Sequence, residues 1–176
     1  MTIIIKDPQA TFIHIPRTGG TSMATWLVDN AEGEYYHDSI GNKTGATRYL
    51  NYDKIVTLCA ADNIDMGFTF TIVRNPWDRM VSSYKRWISF PHNNMPFDQF
   101  VIHPVGSVTE QMISFIGTCD YILEYEILKK DFGEIKKMFG CKKKLPHLRK
   151  SEDDRHYSAF YTGSSKRHVE RRFAED

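Results

Sequence analysis

The chain alternates short apolar runs with longer stretches in which apolar residues return every three or four positions. Thr11–Ile15 is β-branched and aromatic and stops at Pro16, the pattern of a buried strand. Phe68–Val73, "FTFTIV", is a second such run. Thr2–Ile5 fits a short edge strand and Tyr121–Leu123 a further strand. The helical period shows first over Gly20–Asp29, with Met23, Trp26 and Leu27 on one face. It returns over Tyr52–Ala61, Pro76–Ser89, Phe97–Ile102, Val108–Ile116, Glu126–Phe139 and Ser164–Phe173. In the Pro76 helix, Trp77, Met80, Val81, Tyr84 and Ile88 form a core-facing stripe. Arg79, Ser82, Ser83 and Arg86 lie opposite, and Arg79 and Arg86 read as its solvated side. Asn75 suits the cap of this helix, Pro76 its first turn and Asp78 the positive end of its dipole. Gly33–Asp53 is rich in Gly, Asn, Asp and Tyr and reads as a long irregular segment, a type that often carries function. Strands separated by helices predict an α/β fold with a mainly parallel sheet.

Length and composition narrow this. The chain has 176 residues, enough for one domain with a sizeable core. Hydrophobic content of 41% and charged content of 26% are ordinary for a soluble globular protein. A net charge of +1 gives no whole-molecule field toward nucleic acid or membrane, so neither is expected as a partner and any anion site is local. Cys59, Cys119 and Cys141 are too few and too scattered for a disulfide framework or a metal site, and read as reduced thiols. The opening "MTIIIKDPQA" is interrupted at once by Lys6 and Asp7, which fits neither a signal peptide nor an anchor. A cytoplasmic protein is expected.

Two strand-to-helix junctions carry the candidate chemistry. The first is "PRTGGTS", Pro16–Ser22. Gly19 and Gly20 let the backbone turn tightly and approach a ligand. Successive N–H groups in such a turn form an anion nest, reinforced by the helix N-terminus. Thr18, Thr21 and Ser22 offer hydroxyls, and Arg17 offers a bidentate cation. An ordinary turn with Thr21 as helix cap is the alternative. Neither GxxxxGK[ST] nor GxGxxG can be laid over these residues. The second junction is "VRNPWDRMVSSY", where Arg74 sits at the C-terminal end of a strand, the place open α/β sheets use for ligands. With Ser82 on the helix it could grip a second phosphate.

Together the two motifs resemble the sulfotransferases that use 3′-phosphoadenosine 5′-phosphosulfate (PAPS). They are most similar to the branch that includes the carbohydrate and heparan 2-O-sulfotransferases. "HIPRTGGTS" resembles that family's PKTGGTS loop, which holds the 5′-phosphosulfate. "VRNPWDRMVSSY" resembles its RNPxxRxxSxY motif, in which an arginine and a serine eight positions later bind the 3′-phosphate; here these are Arg74 and Ser82. The runs "DYILEYEILKKDFGEIKKMFG", "LPHLRKS" and "HYSAFYTGSSKRHVERRFAED" extend the resemblance over nearly the whole chain. The fold it implies is a three-layer, P-loop-like α/β domain, with a central mainly parallel sheet flanked by helices, over residues 1–176. The family's loop lysine is Arg17 here. That lysine bridges the transferring sulfuryl group and the leaving phosphate oxygen. An arginine keeps the charge but stays protonated and cannot donate a proton. Relatives commonly continue past the position of Asp176 into an aromatic-containing tail, so part of a nucleotide or acceptor wall is expected to be either missing or supplied by another subunit.

The resemblance implies sulfuryl transfer from PAPS to an acceptor hydroxyl, in line and without a metal, leaving 3′,5′-ADP. Arg17, the Gly19–Thr21 amides and the Thr21 and Ser22 hydroxyls would stabilise the leaving oxygen. His37 in "EYYHDSI" is the candidate base, with an ordinary pKa of about 6.5 suited to the task, and Asp38 is the fallback. His14 reads as structural. The basic run Lys142–Lys150 reads as a solvated surface, although relatives close this region over the nucleotide, where Lys150 and Ser151 would reach the 3′-phosphate or the adenine side. Tyr35, Tyr36, Tyr49 and Phe90 could stack on a sugar acceptor or simply pack. Two rival functions remain open: a PAPS-binding protein without turnover, and a P-loop kinase. The kinase would need a Walker lysine and a Mg²⁺-binding carboxylate, and neither motif supplies one.

Overall fold

The computed structural model describes residues 2–36, 49–105, 108, 110–148, 153 and 155–176. Five strands form one mixed sheet: β1 (Thr2–Lys6), β2 (Gln9–Ile13), β3 (Glu34–Tyr36), β4 (Phe68–Val73) and β5 (Tyr121–Glu124), in the order β3-β1-β2-β4-β5. A two-residue turn at Asp7 and Pro8 joins β1 to β2, so these strands pair antiparallel, Lys6 opposite Gln9. The connections from β2 to β4 and from β4 to β5 carry helices, and these pairs are parallel. β1 also pairs antiparallel with β3, so four of the five strands point one way and β1 alone opposes them.

β1 corrects the expectation of an edge strand. It lies between β3 and β2, and Ile3, Ile4 and Ile5 are all buried on alternating faces. The edge is β3, inside the segment expected to be irregular. Its three residues are too few for a periodic pattern to show, and Glu34 and Tyr35 are exposed.

The helices are α1 (Gly20–Asn30), α2 (Tyr52–Ala61), α3 (Pro76–Ile88), α4 (Phe97–Ile102), α5 (Ile113–Ile116), α6 (Leu128–Met138) and α7 (Gly163–Arg172). α1 and α6 cover one sheet face, packing Met23, Trp26, Leu27, Phe132 and Ile135 on Ile3, Ile5, Phe12 and Phe70. α2 and α5 cover the other, packing Ile55, Cys59 and Phe115 on Ile4, Ile13 and Ile15. The result is three layers. A third apolar cluster joins α3, α4 and α7 through Met80, Val81, Phe97, Phe100, Val169 and Phe173. The helix expected over Val108–Ile116 is a single turn at Ile113–Ile116. Val108 and Met112 are buried by packing rather than by a helical face. Among the described residues, no helix is long and apolar enough to cross a membrane. All three cysteines are free thiols.

Candidate active site

β2 and β4 are parallel neighbours, with Ile13 opposite Thr71, so their C-terminal ends open side by side. Each is followed by a turn into a helix. Adjacency in the sheet therefore brings the two motifs together, although more than fifty residues separate them.

The first turn is built from two left-handed residues, Arg17 (φ 68°) and Gly19 (φ 86°). Glycine adopts this conformation without penalty, whereas for arginine it costs roughly 1–3 kcal/mol and must be imposed by the surroundings. A side chain at Gly19 would place its Cβ 3.0 Å from the Tyr125 ring. At Gly20 it would run into the ring of His14, which is buried beneath the loop. Gly20→Ala is accordingly expected to cost about 1–3 kcal/mol, roughly 2–4 °C of melting temperature per kcal/mol. An unchanged melt would mean that the His14 ring moves aside freely.

Among the long helices, α1 and α6 start without a side-chain cap, and α6 has Asp131 in its first turn. Asn51, Asn75 and Thr162 cap α2, α3 and α7 with side-chain acceptors. α1 is capped by Gly19, with no side-chain bond and no acidic residue in its first turn. Its positive end is thus left without the usual carboxylate or hydroxyl, which suits an anion from outside the chain.

The second motif wraps around the first. Asn75 Oδ1 accepts from the Trp77 and Asp78 amides at 3.0 and 3.3 Å, which starts α3 sharply after Arg74. Arg74 pairs with Asp78 at 2.8 Å and lies over the Tyr125 ring, 4.1 Å from its centroid. Its Nη1 donates to the Arg17 carbonyl at 3.1 Å. The Arg17 side chain turns the other way, and its Nη2 donates to the Ser82 carbonyl at 2.8 Å and to Ser82 Oγ at 3.0 Å. One turn earlier on α3, Arg79 Nε donates to the Pro16 carbonyl at 3.0 Å. Three side chains of the second motif therefore hold the backbone and side chain of residues 16 and 17.

Arg79 is a correction to the sequence reading. It was expected on the solvated side of α3, yet it is 1% exposed. Ser83 is buried as well, while Ile88, expected in the core stripe, is exposed. α3 packs α4 and α7 on one flank and the first loop on the other, so its apolar stripe describes only half of what it buries. Asp176 Oδ2 stands 3.7 Å from Arg79 Nη1. Burial pushes the Arg79 guanidinium down to about 10 and the Asp176 carboxyl up.

Thr18 is a second correction. Its hydroxyl, expected to donate to an anion, donates to the Ile15 carbonyl at 2.9 Å, and the residue is fully buried. Thr21 is half-buried at the start of α1. Ser22 is buried, and its Oγ accepts from the Leu148 amide at 3.1 Å, tying the basic run to α1. Trp26 Nε1 makes a second tie, to the Lys143 carbonyl at 3.2 Å, while Lys142, Lys143 and Lys144 themselves are exposed. His37, Asp38, Lys150 and Ser151 lie outside the described residues. Of the candidate stacking aromatics, Tyr36 donates to Asp62 at 2.6 Å and Tyr49 packs edge-on against His14. Phe90 is exposed under the Arg86 guanidinium.

Sequence reasoning missed Tyr125 and Glu126. Tyr125 lines both Gly19 and Arg74, and Glu126 Oε1 accepts from the Asn75 amide at 2.8 Å. No periodicity marks them, because they belong to a short turn after β5. Among the described residues, no group of three or more His, Cys, Asp or Glu side chains is placed to hold a metal.

The chain can be set beside known proteins on this basis. The model of the sulfotransferase family, Sulfotransfer_2, matches residues 1–114, which include both motifs. Among solved structures, mouse sulfotransferase SULT7A1 complexed with PAP is similar in fold. The TM-score is 0.57 at 16% identity, over 93% of this chain and 81% of that one. A search of curated protein sequences finds no significant match.

Proposed function

Because the chain belongs to the sulfotransferase family, we propose that it moves a sulfuryl group from PAPS to an acceptor hydroxyl, in line and without a metal. The observation that carries this reading is the junction of the two motifs. Arg17 Nη2 lies 3.0 Å from Ser82 Oγ, and Arg74 Nη1 lies 3.1 Å from the Arg17 carbonyl. An uncapped helix N-terminus and an arginine–serine pair thus stand one side chain apart. That spacing suits a ligand with a sulfated phosphate at one end and a phosphate at the other. The PAP bound to the mouse relative supports the same donor.

In this reading the α1 amides, with Gly19, Gly20, Thr21 and Ser22, hold the 5′-phosphosulfate. Arg74 and Ser82 take the 3′-phosphate, with Tyr125 keeping the Arg74 guanidinium flat. A bond forms from the acceptor oxygen to sulfur as the bond from sulfur to the phosphate oxygen breaks, releasing 3′,5′-ADP. Arg17 stabilises the charge that gathers on the leaving oxygen. The acceptor proton passes to a base, for which His37 is our candidate, with Asp38 behind it. Lys150 and Ser151 are assigned to the 3′-phosphate or adenine side. The acceptor is a carbohydrate or a small molecule, and a cytoplasmic setting and a single domain over residues 1–176 belong to the same proposal.

The Arg17–Ser82 contact has a consequence for recognition. The Ser82 hydroxyl accepts from Arg17 and keeps its own proton to donate, so a 3′-phosphate can accept from it without displacing Arg17. Ser82→Ala is expected to weaken 3′,5′-ADP binding by about ten- to a hundredfold, the usual worth of a hydrogen bond to a charged group. AMP, which lacks the 3′-phosphate, should bind as before. Equal losses for both ligands would remove Ser82 from the 3′-phosphate site.

The direct test is calorimetry and thermal melting with 3′,5′-ADP in EDTA, beside ATP with Mg²⁺, followed by transfer assays with PAPS. Ligand at about 100 times its Kd should add roughly 2.7 kcal/mol, a shift on the order of 5–10 °C. Tighter binding of ATP with Mg²⁺, or no binding of either, would sink the proposal. Binding of 3′,5′-ADP without transfer to any hydroxyl acceptor would favour a binding protein over an enzyme.

A further inference from the structure

Arg79 lies under the first loop with almost no exposure. Its Nε donates to the Pro16 carbonyl at 3.0 Å, and its Nη1 donates to the Glu110 carbonyl at 2.9 Å. The Asp176 carboxylate, itself fully covered, stands 3.7 Å from Nη1 and accepts from the Ile113 amide at 3.1 Å through its other oxygen. The Phe173 ring borders the same guanidinium. The segment that follows α7 thus supplies the counter-ion for a cation whose other end grips the active-site loop.

The position of that grip matters. Arg17 occupies a left-handed conformation that glycine would favour. The carbonyl before it is held by Arg79, and the carbonyl after it by Arg74. The Pro16–Arg17 peptide cannot rotate without breaking the Arg79 bond. A lysine at position 79 could reach one carbonyl, but not both in the fixed fork that arginine provides. A neutral partner at 176 would leave the fork without the charge that orients it.

Resting on the sulfotransferase reading for what Arg17 does, we propose that Arg79 is a positioning residue, oriented by Asp176, that holds the Pro16–Arg17 peptide so that Arg17 faces the transferring group. The segment after α7 thereby sets the geometry of a loop at the opposite end of the sequence.

The test uses Arg79→Lys and Asp176→Asn in the full chain, with folding checked by near-ultraviolet circular dichroism. Arg79→Lys should lose about tenfold or more in kcat per folded molecule, with the donor KM within about threefold, because misplacing Arg17 removes an interaction made in the transition state. Asp176→Asn should lose less, in the same direction. Unchanged kcat per folded molecule in both variants overturns the proposal. A second readout does not depend on activity. In ¹⁵N-labelled protein, Asp176→Asn should move the amide resonances of Arg17, Thr18 and Gly19, while those of Ile55 and Cys59 on the far sheet face stay in place. If only residues around 110–113 and 173–176 respond, the proposal is wrong. An unmutated chain that transfers no sulfuryl group would sink the functional reading alone, and the resonances would still decide the positioning.

Discussion

Replacing Arg17 with alanine is expected to lower kcat by about 10²–10³-fold, the usual effect of removing one donor from a developing oxyanion. Three features of the structure make this the largest catalytic effect. Arg17 is the cation of the first loop, it precedes an N-terminus without an acidic residue in its first turn, and the neighbouring Arg74 is already paired with Asp78 at 2.8 Å. Binding of 3′,5′-ADP should change much less, since that product lacks the sulfuryl group. Stability should hold or rise, because alanine removes the bonds to Ser82 but leaves no buried charge. Arg17→Lys is the informative companion. It keeps the charge and should retain most of the activity. If Arg17→Lys fell as far as Arg17→Ala, the planar fork rather than the charge would be what the reaction uses. A fully active Arg17→Ala would exclude Arg17 from the chemistry.

Arg79→Met is expected to destabilise the fold by about 3–5 kcal/mol, the cost of breaking one half of a buried ion pair. Methionine fills much of the volume but leaves the covered Asp176 carboxylate without its cation, and the Pro16 and Glu110 carbonyls without their donor. At roughly 2–4 °C per kcal/mol for a domain of this size, the melting temperature should drop by about 6–20 °C. The double variant Arg79→Met, Asp176→Leu should recover a good part of that loss, since an apolar pair of similar volume carries no buried charge. Recovery of stability without recovery of kcat would separate the two duties of Arg79. A single variant that melts within a degree of the unmodified chain would show that the 3.7 Å pair contributes nothing.

The sequence reading succeeded where the signal is local. Phe68–Val73 and Pro76 were assigned from a β-branched run and a helix start, and both bounds agree with β4 and α3. Met23, Trp26 and Leu27 share one face of α1 because the helical period fixes which residues share a side. The two motifs were legible as strand, loop and helix. What those signals cannot express is partnership. Ser82 was read as a phosphate ligand, and it also accepts from Arg17, sixty-five residues earlier. Arg79 has the period of a solvated position, yet it is buried. The RNPxxRxxSxY pattern did mark an arginine there, and that was the one signal that could have found it.

The alternation of strands and helices, the residues of the two loops, and the cation and two glycines that precede the first helix are all written in the amino-acid order. Each of these follows from steric preference and periodicity within a few residues. The place of β1 inside the sheet, the adjacency of β2 and β4, and the closing of Arg74, Arg79 and Ser82 on Pro16 and Arg17 come from packing between distant segments. Strand order and burial are set by which apolar faces meet, and a pattern along one chain is the same whichever neighbour covers it.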